Sequence, residues 1–384
     1  MKRMLALALI LPLLSMTACA EEAAPTLTLM AVNVGKADCL LLQSGQTRYL
    51  IDTGTTESYG AVSAALRQSG VTRLDGVIIT HTDKDHAGGA WALASSSIQV
   101  GGWYAPSFYT GVKEKKHPMI RAAALRGEEV TWLKAGDTLP LDGGTLTVLG
   151  PLAYDGEKEN NNSLVLRAQT ADGSMLLAGD MEFPEEQSLL AAGAIAPADV
   201  LKVGNHGEDD ATSDALVAAV KPAVAVISTN SAQEPDTPST RVLTLLKQAG
   251  AKVAVTQSAQ EGVQVTLRNG AAETSLLSLD ALPSATEQVT LSDKSVAQDA
   301  VCVLNGGQTA ADLSGWFIYS GRGGEIFVFP DGTILPAGQS LSVTSLSSDD
   351  PGDFVWQDEN VWHKSKDDTA YLFDAYGRLM SELE

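Results

Sequence analysis

The sequence is poor in positive charge. It sets 26 lysines and arginines against 47 acidic residues, a formal net charge of −21 over 384 residues. A surface of that sign repels polyanions in bulk, which argues against tight non-specific nucleic-acid binding through a broad basic face. A small local anion site is still compatible, because a bound metal or a few lysines can reverse the potential inside one cleft. The apolar run near the N-terminus, "MLALALILPLLSM", is shorter than the ~20 residues that span a bilayer and is interrupted by Pro12, which argues against a membrane-spanning helix there. Cysteine is scarce, with three in the chain. Cys39 and Cys302 fall in segments assigned below to different domains, so a disulfide between them and two buried free thiols both fit.

What the N-terminus does contain is a targeting pattern. Lys2 and Arg3 precede the apolar run, and "MTAC" closes it at Cys19. This resembles a bacterial lipobox, with Met16 in place of the usual leucine and small residues at Thr17 and Ala18. The expectation is a signal peptide over 1–18, lipidation of the Cys19 thiol, and a tether over 19–26. The mature protein would then sit outside the cytoplasm, anchored to the outer face of the bacterial membrane. An ordinary secretory cut nearby would instead release it.

Beyond the tether the pattern becomes strand-like. "LTLMAVNV", "CLLLQ" and "TRYLIDTG" are short apolar runs, "AVSAALRQSG" reads as a helix stopped by Gly70, and "LDGVIIT" as a buried strand. Strands "TLTVLGP", "LVLRAQ" and "SMLLAGD" follow, then helices and strands in alternation to about residue 280, which describes one α/β domain over 27–280. Residues 281–298 read as a polar linker. From about 299 to 384, short alternating runs broken by Gly, Pro and Asp-Gly turns predict a small all-β sandwich. The two halves do not read as internal repeats.

The densest chemistry lies in "IITHTDKDHAGGA". His81, Asp83, Asp85 and His86 occupy six consecutive positions just past an apolar strand. Imidazole suits zinc, manganese and iron, while carboxylate shifts preference toward harder ions. Gly88 and Gly89 are expected to let the backbone turn sharply into the next helix. Asp180 after "MLLAG" and His206 after "VLKVGN" would reach the same rim if their strands share a sheet, since chemistry gathers at the carboxyl ends of strands in layered α/β proteins. Two metals bridged by one carboxylate would make a hydrolytic site. The remaining histidines read differently: His117 in "KEKKHP" as a solvated loop residue and His363 as a surface residue. The "KEKKH" run itself could serve as a modest phosphate-facing patch beside the site.

"HTDKDHAGG" resembles the H-x-H-x-D-H motif of the metallo-β-lactamase superfamily, with Asp83 replacing the second histidine. The H-x-D-x-D-H form is similar to that of the hydrolase domain of ComEC competence DNA-uptake proteins. "VNVGKADCLLL", "LIDTG", "NNNSLVL", "LLAGDM" and "VLKVGNHG" match further landmarks in order, over roughly residues 27 to 270. The resemblance implies a four-layer αββα sandwich binding two divalent ions, zinc or manganese. His81 and Asp83 would serve the first ion and Asp85 and His86 the second, with Asp180 bridging and His206 completing the set. Asp85 would also hold the nucleophilic water. Asp52 would orient a ligand, and Asn161 and Ser163 would line metal or substrate or simply satisfy their own turn. Three departures stand out: Asn33 where aspartate is usual, Asn205 in place of the first histidine of a pair, and no histidine in residues 230–239.

"ADLSGWFIYS", "FVFPDGTILPAGQSLSV" and "TAYLFDAYGRL" resemble a lamin-tail domain, an immunoglobulin-like sandwich. It implies an adhesive or targeting module without chemistry, one that would bind cell envelope or another protein, with Trp316 and Phe327 in its core. Together the resemblances imply a lipid-anchored metallohydrolase that splits phosphodiesters, of extracellular nucleic acid, by attack of a metal-bound hydroxide. The alternatives are hydrolysis of another ester, a lactone or a β-lactam, and a binding or scaffold protein with an eroded metal site.

Overall fold

Leu27, Leu29 and Ala31 alternate with Met30 and Val32 along strand Leu27–Val32, and because strand side chains point to opposite faces in turn, the alternation assigns each set to a layer. In the computed structural model, which describes residues 26–277 and 288–384, Leu27, Leu29 and Ala31 pack against Leu146, Val148, Leu166 and Met175 of a second sheet. Met30 and Val32 pack outward against helices α1 (Tyr59–Gln68), α3 (Ala90–Ser95) and α4 (Pro118–Leu125). The short helix α2 is Lys84–Ala87. On the other side, Val165, Leu176, Leu201 and Ile227 of the second sheet cover α5 (Phe183–Ala191), α6 (Asp214–Val220) and α7 (Thr240–Gln248). Three apolar interfaces between four layers make the αββα sandwich. Ser213 and Ser239 open α6 and α7 by accepting the amides of Leu216 and Val242, caps worth ~1 kcal/mol each.

The first sheet has eight strands, in the order 271–276, 262–268, 27–32, 40–44, 47–51, 76–78, 103–106 and 130–133; the second has seven, from 252–255 through 224–227, 200–202, 173–177, 165–170 and 144–150 to 138–141. Strands 47–51, 76–78 and 103–106 run parallel, as do 173–177, 200–202 and 224–227. Their carboxyl ends meet at one edge of the sandwich. Asp52, His81, Asp180 and His206 all leave strands there.

Two expectations need correction. Gly88 and Gly89 make no special turn: their φ values of −63° and −79° are helical. What they permit is close approach, since a Cβ on Gly89 would lie 2.3 Å from the carbonyl oxygen of Thr53 and one on Gly88 2.8 Å from the amide of Thr56. Residues 289–295, expected as linker, form a strand paired with Ala300–Asn305. The polar stretch VTLSDKS reads as linker because only Val289 and Leu291 face the core.

The C-terminal strands form two four-stranded sheets around Trp316, Phe327, Trp356 and Trp362, which are buried as expected of a sandwich core. One sheet also docks on the N-terminal α/β domain, where Phe317, Ile326 and Val328 join the core beneath α1 and α3. Cys39 is buried in the first domain and Cys302 half-buried in the second; neither is in a disulfide. Cys19 and the leader lie outside the described residues, as does most of the tether. Among the described residues no helix is long and apolar enough to cross a membrane.

Candidate metal centre

Three imidazoles converge on one carboxylate. His86 Nε2 lies 3.1 Å from Asp180 Oδ2, His206 Nε2 3.2 Å and His81 Nε2 4.0 Å. All three rings are fully buried and Asp180 nearly so. Asp85 Oδ2 approaches His206 Nε2 at 3.4 Å, and Asp83 Oδ2 approaches His81 Nε2 at 3.7 Å. Asp85, His86, Asp180 and His206 present ligand atoms within 4.8 Å of one another. All six residues anticipated as ligands therefore come from distant strand ends to one pocket, with His81 and Asp83 at its outer side.

The hydrogen bonds on the far side of each ring decide what faces inward. His86 Nδ1 is 2.8 Å from Asp52 Oδ2, and His206 Nδ1 is 2.9 Å from the carbonyl oxygen of Ser228. Both partners only accept, so each Nδ1 carries a proton and each ring turns its Nε2 inward. Thr80 Oγ1 donates to Asp52 Oδ2 and so accepts from His81 Nδ1 at 3.1 Å, which orients the third ring the same way. Nε2 of His86 and Nε2 of His206 then face each other at 3.3 Å. His81 Nε2 and Asp180 Oδ1 are buried without any hydrogen-bond partner. Nitrogens packed this closely around a carboxylate need positive charge among them, as protons on the rings or as a metal ion. Histidine nitrogen with carboxylate oxygen, each ligand braced from behind, is a donor set that fits zinc or manganese.

The electrostatics agree. Burial works against a charged His86 ring, yet Asp180 and Asp52 raise its pKa well above the ordinary value. For His206, burial opposes the charge and Asp180, Asp85 and Asp38 outweigh it, to a pKa of about 9. Asp180 is held well below the usual carboxylate range by both histidines despite its burial. The pocket is an electrostatic sink for positive charge, met by protons when no metal is bound.

The backbone is strained to build it. Asp52, Asn205 and His206 adopt left-handed φ values of 59°, 42° and 52°. A non-glycine residue there costs on the order of 1–3 kcal/mol and persists only where the surroundings impose it. Asp52 is fully buried, and its carboxylate accepts from the Thr80 amide and hydroxyl as well as from His86. It braces a ligand, as its position suggested. Ser163 Oγ accepts the Asp180 amide at 3.2 Å and so fixes the bridging candidate's backbone. Asn161 donates to Asp155, leaving its own buried Oδ1 unpaired. Of the departures, Asn33 donates to the carbonyl of Ala259 and Asn205 to Asp210, each serving its own loop. Residues 230–239 bring Gln233, which accepts the Lys36 amide at 2.8 Å.

Several residues at the site were not anticipated. Lys36 Nζ sits at the mouth, 3.6 Å from Asp85 and 3.2 Å from Glu208. Lys202 and Asp38 form a buried pair beneath His206. Glu159 ties the metal loop to its neighbour, accepting from Thr82 and from the Thr110 amide. The only signal for Lys202 is a lysine inside an apolar strand; Glu159 carried none. His117 requires correction. It is fully buried against Tyr109 and Trp132, ring centroids 4.7 and 5.2 Å away.

Residues 283–384 match the lamin tail domain. ComE operon protein 3 of Bacillus subtilis (strain 168) is 30% identical over 240 residues, 58% of this chain and 31% of that protein. Competence protein ComA of Neisseria gonorrhoeae is 29% identical over 225 residues, covering 58% and 30%. Recombination protein 2 of Haemophilus influenzae is 28% identical over 209 residues, covering 53% and 24%. The chain thus spans less than a third of the length of these relatives. Among solved structures, the metallo-β-lactamase fold protein YhfI from Bacillus subtilis aligns with a TM-score of 0.41 at 13% identity, over 63% of this chain and 99% of that one. Zn(2+)-bound PqqB from Methylobacterium extorquens aligns at 0.42 and 13%, over 59% and 86%. Residues 32–231, more than half the chain, match the metallo-β-lactamase superfamily, and this protein belongs to that superfamily and is related to competence proteins.

Proposed function

We propose that the protein is a phosphodiesterase dependent on divalent metal, acting on extracellular nucleic acid from the outer face of a bacterial membrane, where a lipid on Cys19 anchors it. The observation that carries the chemistry is the convergence of three imidazole Nε2 atoms on Asp180. His81, Asp83, Asp85, His86, Asp180 and His206 would hold one or two ions of zinc or manganese. Bound there, such ions would lower the pKa of water and neutralise charge on a phosphoryl group.

The chain's own groups supply the rest. Asp85, a quarter exposed at the mouth, faces the substrate side, where it orients the attacking water and takes its proton. Lys36, a fixed cation beside Asp85, offsets charge on the non-bridging oxygens. Asp52, Thr80 and the Ser228 carbonyl keep the rings from turning. A nucleic-acid substrate is supported by likeness to a recombination protein and a competence protein, and the anchor by "MTAC".

The test is to incubate the protein with manganese or zinc and then with single-stranded DNA, bis-p-nitrophenyl phosphate and a chromogenic β-lactam. Turnover of both diesters, lost in folded Asp85→Ala and Asp180→Ala, is the expected result. Hydrolysis of the lactam alone, or none of the three, would sink the proposal. Retention of Cys19→Ser in the membrane fraction would remove the anchor from it.

A further inference from the structure

A groove of about 320 Å³ opens beside the metal pocket, between α2, α3 and the turn that leads into α4. Thr82 and Lys84, on either side of Asp83, form its inner wall; Trp91 lies along it, and Lys116, Pro118 and Arg121 close the outer side. Asp83 is half exposed and belongs to both places, as a ligand candidate of the metal pocket and as the residue between two groove residues. The groove and the site therefore share the loop that carries Asp83.

Its charge runs against the rest of the molecule. In a chain of net charge −21, Lys84, Lys116 and Arg121 line one narrow groove, and Lys113 and Lys115 stand exposed on the same turn as Lys116. Among the described residues no acidic side chain lines the groove itself; those nearby are Asp83 between Thr82 and Lys84, Glu159 bonded to Thr82, Glu114 on the lysine turn, Glu57 near Lys84, and Asp358 of the lamin-tail domain, 3.1 Å from Arg121 Nη2. The arrangement is also held in place. The Arg121 guanidinium lies over the Trp91 ring at 4.7 Å, leaving its side chain 43% exposed. The lysine turn is pinned because His117, the residue after it, is buried edge-on against the stacked rings of Tyr109 and Trp132. Glu159 fastens Thr82 and Thr110, so the metal loop and the lysine-bearing loop keep a fixed spacing.

We propose that this groove is a subsite for the phosphates flanking the scissile one, seating the backbone of a single nucleic-acid strand as it leaves the metal pocket. The inference rests on the phosphodiesterase reading above for its substrate, and on the groove's own charge for its location. Cations on the two walls of a narrow channel contact a backbone without reading bases, so recognition is sequence-tolerant and salt-dependent. The acidic remainder of the surface repels the strand elsewhere and so confines it to this path. An anionic membrane surface offers the same phosphate chemistry, but a groove recessed beside the metal pocket favours a strand over a bilayer.

The experiment is anisotropy of a short labelled oligothymidylate with the full chain under chelator, where no turnover occurs. We expect wild type to bind, and Lys84→Gln/Lys116→Gln to raise Kd at least tenfold. The slope of log affinity against log salt should fall by roughly 1.4, for two lost contacts to a single strand. Lys116→Glu should weaken binding further, and an unchanged thermal transition verifies folding. Unaltered Kd in the double variant overturns the subsite, as does a loss confined to sedimentation with phosphatidylglycerol vesicles. Hydrolysis of bis-p-nitrophenyl phosphate by metal-loaded wild type reports on the phosphodiesterase reading separately. Strand binding through these lysines without diester turnover would overturn that reading and leave a binding groove.

Discussion

Lys202 Nζ lies 2.7 Å from Asp38 Oδ2, and neither side chain is more than 1% exposed. The ammonium also donates to the Val203 carbonyl, and Asp38 Oδ1 is 3.9 Å from His206 Nδ1. The pair is thus the floor of the metal pocket. Asp38 is held ionised by Lys202 and His206 although burial opposes it. Removing one partner of such a pair leaves an uncompensated buried charge, whereas removing both does not. Lys202→Met should therefore destabilise the protein by about 3–5 kcal/mol in urea denaturation. Asp38→Asn/Lys202→Met should recover much of that. A double variant no more stable than the single would show that the charge is not what matters.

Asp52 acts on the metal through His86. Asp52→Asn keeps the size and one acceptor but removes the charge that fixes the ring proton on Nδ1. Loss of a carboxylate bracing a ligand histidine typically weakens metal affinity by ~10–100-fold. Competition with a chromophoric chelator should show that drop in Asp52→Asn while circular dichroism stays unchanged. Wild-type affinity in the variant would mean that Thr80 and packing alone hold the ring.

Much of this was legible in the sequence, and the reasons are local. The candidate ligand set was readable because His81, Asp180 and His206 each sit three or four residues past an apolar strand, where the fold places its chemistry, and the other three follow His81 in the same short loop. The alternation of runs such as LTLMAV with helical segments read as an α/β domain, and the αββα layering came from the family resemblance. The stretch from Trp91 to Asp137 gave little: strand Trp103–Pro106 has four residues next to two glycines, and α3 six, too short for a period to emerge. Lys202 and His117 escaped for a different reason. Residue type alone places both at the surface, and only the third dimension supplies Asp38 to one and two aromatic rings to the other. Left-handed φ at Asp52 and His206 likewise has no signature, since the residues are not glycine.

His117 should leave a pH signature in stability. Burial pushes its pKa down to about 4, and neither ring nitrogen has a hydrogen-bond partner. An unfolded histidine titrates near 6.5. Between these values the unfolded chain binds a proton that the folded chain refuses. The stabilisation from this residue is complete above pH ~6.5 and shrinks as pH falls toward 4, a change of about 1–3 kcal/mol. His117→Phe should flatten that part of the stability curve and, by removing two unpaired nitrogens, should not destabilise the protein at neutral pH. Urea midpoints at several pH values for both proteins make the comparison, and parallel curves would refute it.

The lamin-tail domain, expected as an appended module, is packed into the hydrolase domain's own core, and one glycine tests how tightly. The Phe317 ring meets Tyr59 edge-on at 5.4 Å and stacks on Phe373 at 4.9 Å. Ser63 Oγ donates to the Ala375 carbonyl at 2.8 Å, and Tyr319 donates to Glu57 at 3.0 Å. Between them α1 touches the turn at Gly377 so closely that a Cβ on Gly60 would lie 2.7 Å from the Gly377 Cα. Gly60 is inside a helix, where replacement by alanine ordinarily stabilises by up to ~1 kcal/mol. Here the sign should reverse, because backbone on the facing domain cannot yield as a side-chain tip can. Scanning calorimetry should give one transition for wild type, the two domains melting together through their shared core. Gly60→Ala should lower the midpoint and split the endotherm as the domains uncouple. A raised midpoint with a single peak would mean that helix propensity outweighs the contact and that the domains are not pressed together at this point.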